Sequence, residues 1–225
     1  MVDEYLDERE QAEQLKQWFK ENWLWLAAGV VLGLGGLYGW QGWNAHLDRR
    51  SQDAGRLFGE MLGALDQSDR TRGEEIAGQL YEKYASTPYA DQARLVMARV
   101  HAEGDELDAA ASELRKVMEE SSDPELALVA RLRLARVQSA QGEHDAALAT
   151  LDAVTTPAVE AAVAELRGDV LLAKGDAAAA LAAYQQALAA SAPAAAQGLV
   201  DPALLQLKID DLSAAAQAGT APATP

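Results

Sequence analysis

Residues 164–190 read AELRGDVLLAKGDAAAALAAYQQALAA. Ala, Leu, Glu, Gln and Arg favour helix, and no strand-like alternation interrupts them. Gly175-Asp176 breaks the run, so the stretch predicts two helices joined by a tight turn. On the first helix Gly168 removes a side chain where another helix can approach, with Leu171 and Leu172 below it. On the second, Ala180, Tyr184 and Ala187 recur at i, i+4 and i+7, which is one face. Pro193 stops the second helix.

The same pattern extends towards the N-terminus. Gly104-Asp105 and Gly142-Glu143 are further Gly-acid turns, so the three turn glycines are 38 and 33 residues apart. In LVARLRLARVQSAQGEHDAALATLDAV, residues 128–154, Ala135 takes the place of Gly168, and Ala147, Leu151 and Val154 form the second-helix seam. In ADQARLVMARVHAEGDELDAAASELRKVM, residues 90–118, the seam is Ala110, Leu114 and Val117, which requires one extra residue in the turn. Residues 44–86 read as a preceding, divergent helix pair. Leu47, Ala54, Leu57, Phe58, Met61, Leu62 and Leu65 lie on its first helix, SDRTRG breaks it, and Ile76, Leu80, Tyr81 and Tyr84 lie on its second. Asp201 as N-cap with Pro202 at the first helical position starts a last helix through LLQLKIDDL, a cap on the stack. The tail AGTAPATP is expected to be disordered.

In order of small residue, bulky residue, turn, Ala, aromatic and Ala, residues 164–190 resemble a tetratricopeptide repeat. The resemblance implies an all-α solenoid of stacked helix pairs, with the first helix of each repeat lining a groove. Carried over by position, the groove candidates are Asp91, Arg94 and His101 in the first repeat, Leu132, Arg136 and Ser139 in the second, and Glu165, Asp169 and Leu172 in the third. A mixed-charge, partly apolar groove suits an extended peptide or an unfolded chain.

Residues 23–43, WLWLAAGVVLGLGGLYGWQGW, carry no charge. As a helix these 21 residues would reach roughly 30 Å, about the thickness of a hydrocarbon core. The five tryptophans cluster at its ends, Trp18, Trp23 and Trp25 on one side and Trp40 and Trp43 on the other, as in an aromatic belt. A cleaved signal peptide does not fit, because the n-region MVDEYLDEREQAEQ is acidic and no small-x-small site follows. The segment therefore reads as a single uncleaved transmembrane helix. Arg9, Lys16 and Lys20 precede it and Arg49, Arg50 and Arg56 follow it, so charge alone leaves its orientation open. Gly29, Gly33 and Gly36 share one helix face, and Gly35, Gly39 and Gly42 a second, roughly 100° around. Small residues at such spacing let a second membrane helix pack closely. The expected organisation is a tail at 1–22, the membrane helix at 23–43, a helical repeat domain at 44–216 and a disordered tail at 217–225.

The formal net charge of -16 argues against a nucleic-acid partner. There is no cysteine, which removes disulfides, zinc–thiolate sites and thiol catalysis. His46, His101 and His144 have no metal-ligand spacing, and no GxSxG, GxxxxGK or EF-hand loop is present. The sequence thus predicts no catalytic residue, no metal and no cofactor, and a binding protein rather than an enzyme.

The start EYLDEREQAEQLKQWFKENW and the glycine-rich span after it, followed by the helix pair, the repeats and the LLQLKIDDL helix, resemble the YfgM-type family of ancillary SecYEG translocon subunits. The resemblance covers nearly the whole chain. It implies a single-pass protein of the bacterial inner membrane, with a cytoplasmic N-terminus and periplasmic repeats. It also implies association with the SecYEG translocon and with a membrane-anchored periplasmic chaperone, and a role in handing over exported client polypeptides. A tetratricopeptide scaffold of another envelope complex, serving division or outer-membrane assembly, is the alternative reading. A membrane-tethered enzyme is the third, with no residue in the sequence to support it.

Overall fold

The computed structural model describes the backbone of residues 2–191 and 199–220, and the side chains of 12, 13, 15–25, 27–191 and 199–215. Among the described residues nine α-helices follow one another: α1 (Val2–Asp66), α2 (Arg70–Lys83), α3 (Pro88–Glu103), α4 (Leu107–Glu120), α5 (Pro124–Ala140), α6 (His144–Asp152), α7 (Glu160–Ala173), α8 (Ala177–Ser191) and α9 (Pro202–Thr220). A short 3-10 turn at Pro157–Val159 leads into α7, and no strand element occurs among the described residues. The stop expected at Pro193 and the tail from residue 221 lie outside the described residues, whereas 217–220, assigned to the tail, continue α9. Contacts divide the chain into two compact units, Met1–Asp53 and Ala54–Pro225.

In the first unit the stretch expected to span a membrane is helical throughout. The large apolar side chains described there face outward: Trp25 is 79% exposed, Leu32 76% and Trp40 69%. No single helix among the described residues is long and apolar enough to cross a membrane. A bent pair, Leu15–Trp25 with Ala27–Asp66 at 46°, passes that test by length and composition.

In the second unit four turns set a common frame. Ser68, Asp105, Gly142 and Gly175 are the described residues with positive φ, at 63°, 60°, 80° and 91°. Each closes the helix before it with the same pair of bonds. Asp105 N–H donates to Ala102 O and Glu106 N–H to His101 O; Gly142 N–H donates to Ser139 O and Glu143 N–H to Gln138 O; Gly175 N–H donates to Leu172 O and Asp176 N–H to Leu171 O. Ser68 and Asp69 do the same with Leu65 O and Ala64 O. This is the Schellman closure, which requires one left-handed residue after the helix. An acid always follows that residue, at Asp69, Glu106, Glu143 and Asp176, where its charge meets the positive end of the next helix. Asp69 and Asp176 also accept from the Arg72 and Ala179 amides.

This frame corrects the spacing read from the glycines. In the first repeat the left-handed residue is Asp105, and Gly104 is at φ -88°. No extra turn residue exists. Five residues after each left-handed position sits a buried small residue: Gly73, Ala110, Ala147 or Ala180. Helix α2 with the end of α1 is therefore a repeat in the same frame as the other three.

Two further positions trade volume. Seven residues before the turn residue come Met61, Ala98, Ala135 and Gly168; nine after it come Ala77, Leu114, Leu151 and Tyr184. All eight are buried. A large residue in one row is matched by a small one in the other, which keeps the core filled as the sequence varies. The core is four successive clusters, each built from one helix pair and the first helix of the next. One joins α1, α2 and α3 through Met61, Leu80 and Met97, and the next joins α3, α4 and α5 through Ala98, Leu114 and Leu134. The third joins α5, α6 and α7 through Leu151 and Val170, and the last seats α9 on α7 and α8 through Leu205 and Ile209. Stability in such a stack is carried by nearest-neighbour interfaces. Asp201 starts α9 as expected, its carboxylate accepting from Ala203 N–H at 2.9 Å.

Candidate binding surface

Counting back from the left-handed residues places the groove candidates. Leu132, Arg136 and Ser139 lie ten, six and three residues before Gly142, and Glu165, Asp169 and Leu172 lie at the same offsets before Gly175. On α3 those offsets from Asp105 reach Leu95, Arg99 and Ala102. Arg94 and His101 sit one residue out of that register, and Asp91 falls at none of its offsets.

The displaced residues have structural partners. Arg94 is only 14% exposed, donates to Glu113 Oε2 at 2.8 Å, and lies 4.1 Å above the Tyr81 ring centroid. It ties α3 to α4 and α2. Burial, then the Glu113 charge, push the Tyr81 phenol well above the usual range, against the opposing pull of Arg94. Asp91 accepts from Ser121 Oγ at 2.6 Å and holds the link between α4 and α5. His101 Nδ1 lies 2.7 Å from Glu106 Oε2 and 3.1 Å from Arg70 Nη2. Arg70 also pairs with Glu106 and with Glu74, joining α2 to the turn between α3 and α4. Its hydrogen bond, then that of His101, holds the Glu106 carboxyl at about 2.

In the third repeat the candidates meet the last helix. Lys208 Nζ donates to Glu165 Oε1 at 3.0 Å and to Asp169 Oδ1 at 2.7 Å. Tyr184 O–H donates to the same Asp169 oxygen at 2.7 Å. Burial works against the Lys208 charge, but the bonds to Asp169 and Glu165 outweigh it and raise its pKa. Burial and then the Asp169 bond raise the Tyr184 phenol. Lys208 thus occupies two acids of the candidate surface, and Leu172 remains 43% exposed beside them. Leu132 packs partly against the α5–α6–α7 core, and Ser139 is half-buried.

Arg136 behaves differently. It has no hydrogen-bond or ion-pair partner among the described residues and borders a recess of about 350 Å³ between α3 and α5. The floor is Ala98, Ala102, Leu114 and Val137, and the rim is Arg99, Arg133 and Arg136. Arg133 Nη1 donates to Leu95 O at 3.4 Å, and Arg99 has an exposed pair with Glu103 at 3.6 Å. Burial, then the charges of Arg136 and Arg99, lower the Arg133 pKa. Arg136 is among the groove candidates of the sequence; Arg99, Arg133 and Lys208 are not. Arg99 and Arg136 share one offset, which becomes visible once Asp105 is recognised as the turn residue.

Among the described residues no group of three or more His, Asp or Glu is placed to hold a metal ion.

The tetratricopeptide repeat-like domain family matches residues 16–214. The protein named ancillary SecYEG translocon subunit in Escherichia coli K12 is 36% identical over 93% of this chain and 98% of its own length. Proteins of the same name in Haemophilus influenzae and Aggregatibacter actinomycetemcomitans are 32% and 30% identical, over 81% and 92% of this chain and 89% and 98% of theirs. With a repeat frame running from Ser68 to Gly175 and similarity along nearly the full chain, this protein belongs to the tetratricopeptide repeat-like family of ancillary SecYEG translocon subunits.

Proposed function

We propose that the protein is a membrane-anchored, translocon-associated scaffold that binds exported polypeptides and passes them to a membrane-anchored periplasmic chaperone. Its relatives are named for the SecYEG translocon and match it over nearly its whole length, which is the observation that carries this reading. In this account residues 23–43 cross the inner membrane once, with 1–22 in the cytoplasm and the repeats in the periplasm. The outward-facing apolar side chains of the first unit support a lipid environment there, since water would leave them unburied. A Cβ at Gly29, Gly33, Gly35, Gly36, Gly39 or Gly42 would meet nothing within 4 Å inside the chain. Both glycine faces are thereby open to another membrane helix. Stacked helix pairs with a mixed-charge surface suit an extended client segment.

The test is protease digestion of spheroplasts with a C-terminal tag as readout, followed by co-purification with the translocon from detergent extracts. Loss of the tag and recovery of translocon subunits are expected. Protection of the tag in intact spheroplasts, with digestion in lysed cells, would put the repeats in the cytoplasm and end the proposal.

A further inference from the structure

The recess between α3 and α5 combines an apolar floor with a basic rim. Its floor is apolar, so water gains little by filling it. Its rim concentrates three guanidiniums in a chain whose net charge is -16. Like charges brought together on a partly desolvated surface are unfavourable unless an anion joins them. Each guanidinium has five N–H donors in a planar fork suited to a carboxylate. Within the described residues Arg133 uses one donor on a backbone carbonyl, Arg99 one on Glu103, and Arg136 none. The three lie on two helices of adjacent repeats, held by the core cluster of Leu95, Leu134 and Val137 beneath them. The backbone beneath the rim is therefore fixed before binding, and the exposed guanidiniums become ordered on binding.

We propose that this recess is a docking site for an apolar peptide segment carrying a carboxylate side chain, with Arg99, Arg133 and Arg136 gripping the carboxylate and Ala102, the half-buried member of the floor, meeting the adjoining apolar residue. The proposal rests on the reading of the repeat domain as a polypeptide binder and specifies which segments it selects. Nucleic acid is disfavoured by the acidic remainder of the chain. An acidic-apolar peptide meets both the rim and the floor, whereas a bare anion meets only the rim.

Full-length protein in detergent micelles is titrated with two fluorescein-labelled ten-residue peptides, one alternating Leu with Glu and Asp, the other with each acid replaced by its amide. The acidic peptide is expected to bind about tenfold or more tightly than the amide peptide, and the difference is expected to shrink as salt rises. Arg136→Gln, and Arg99→Gln with Arg136→Gln, are expected to remove most of that difference while leaving the helical circular dichroism and melting temperature unchanged. Arg136→Lys restores part of it, since charge returns without the fork. Equal binding of the two peptides, or an acidic preference unmoved by the Arg variants, overturns the assignment and leaves general polypeptide binding standing. Competition by inorganic phosphate as strong as by the acidic peptide identifies a nonspecific anion site and also overturns it. Absence of binding by either peptide overturns both this inference and the polypeptide-binding reading of the repeats.

Discussion

A Cβ placed on Gly168 would stand 2.4 Å from Tyr184 Cε1. The aromatic ring fills the space that a side chain on α7 would need, and its hydroxyl continues to Asp169 at 2.7 Å. This is the extreme case of the volume exchange that runs through all four repeats.

Gly168→Ala is accordingly expected to force the Tyr184 ring aside and to destabilise the protein by about 1–3 kcal/mol. Chemical denaturation of the variant checks this. An unchanged midpoint would mean that α7 and α8 separate without cost.

The left-handed turn positions predict opposite signs for exchanges between glycine and other residues. Asp105 at φ 60° carries a Cβ in a conformation that disfavours one, so Asp105→Gly is expected to stabilise by about 0.5–1 kcal/mol. Gly142→Ala and Gly175→Ala, at φ 80° and 91°, are expected to destabilise by about 1 kcal/mol each. A Cβ on either glycine meets nothing within 4 Å, so the effect isolates the backbone. Melting temperatures of the three variants, measured side by side, test the frame.

Glu106 predicts an acid-side loss of stability. Its carboxyl is lowered from 4.5 to about 2 by the Arg70 hydrogen bond and then by that of His101. As pH falls the unfolded chain takes up the proton first, so the contribution is full above about 4.5 and disappears as pH approaches 2. Glu106→Gln is expected to flatten that part of the melting-temperature profile and to lower the plateau at neutral pH. A profile identical to that of the unaltered protein would show that the Arg70 contact is absent in solution.

Lys208 joins α9 to two carboxylates of α7, at 3.0 and 2.7 Å. Lys208→Met removes the cation and leaves Glu165 and Asp169 facing each other unneutralised. Amide hydrogen exchange in residues 202–212 is expected to accelerate by roughly tenfold, with α3 to α5 unaffected. Acceleration spread evenly over the stack would contradict nearest-neighbour coupling.

Gly33→Leu with Gly36→Leu tests the membrane-helix packing proposed for the first unit. Reduced co-purification with membrane partners is expected, with the repeat domain retaining its melting temperature. Undiminished recovery would remove the packing role.

The period-3.6 apolar pattern, the Asp201-Pro202 start and the Gly142 and Gly175 turns are legible in the sequence because they depend on local backbone chemistry. Each residue there acts within a few positions of itself in the chain. The contact of Gly168 with the second helix is legible for a related reason, since a glycine inside a helix costs stability unless a neighbour needs the space. The turn of the first repeat is where sequence and structure part. HAEGDELD contains both a glycine and an acid able to enter the left-handed region, and only the bond from Glu106 N–H to His101 O selects Asp105. Gly104 serves the close approach of Arg70, whose Nη1 would lie 3.0 Å from a Cβ there. That one-residue choice turns Arg94 towards Glu113 and brings Arg99 to the recess beside Arg136.

What the sequence determined by itself was therefore the helix pairs of the repeats, the Gly142 and Gly175 turns, the Asp201 start and the repeat type. Tertiary structure decided the register of α3, the gathering of three arginines from two repeats and the pairing of Lys208 with acids 43 and 39 residues away. Local propensity is additive along a chain and can be read in order. Charges meeting across stacked helices depend on which side of each helix packs inward, and a one-residue shift turns a helix face by about 100°.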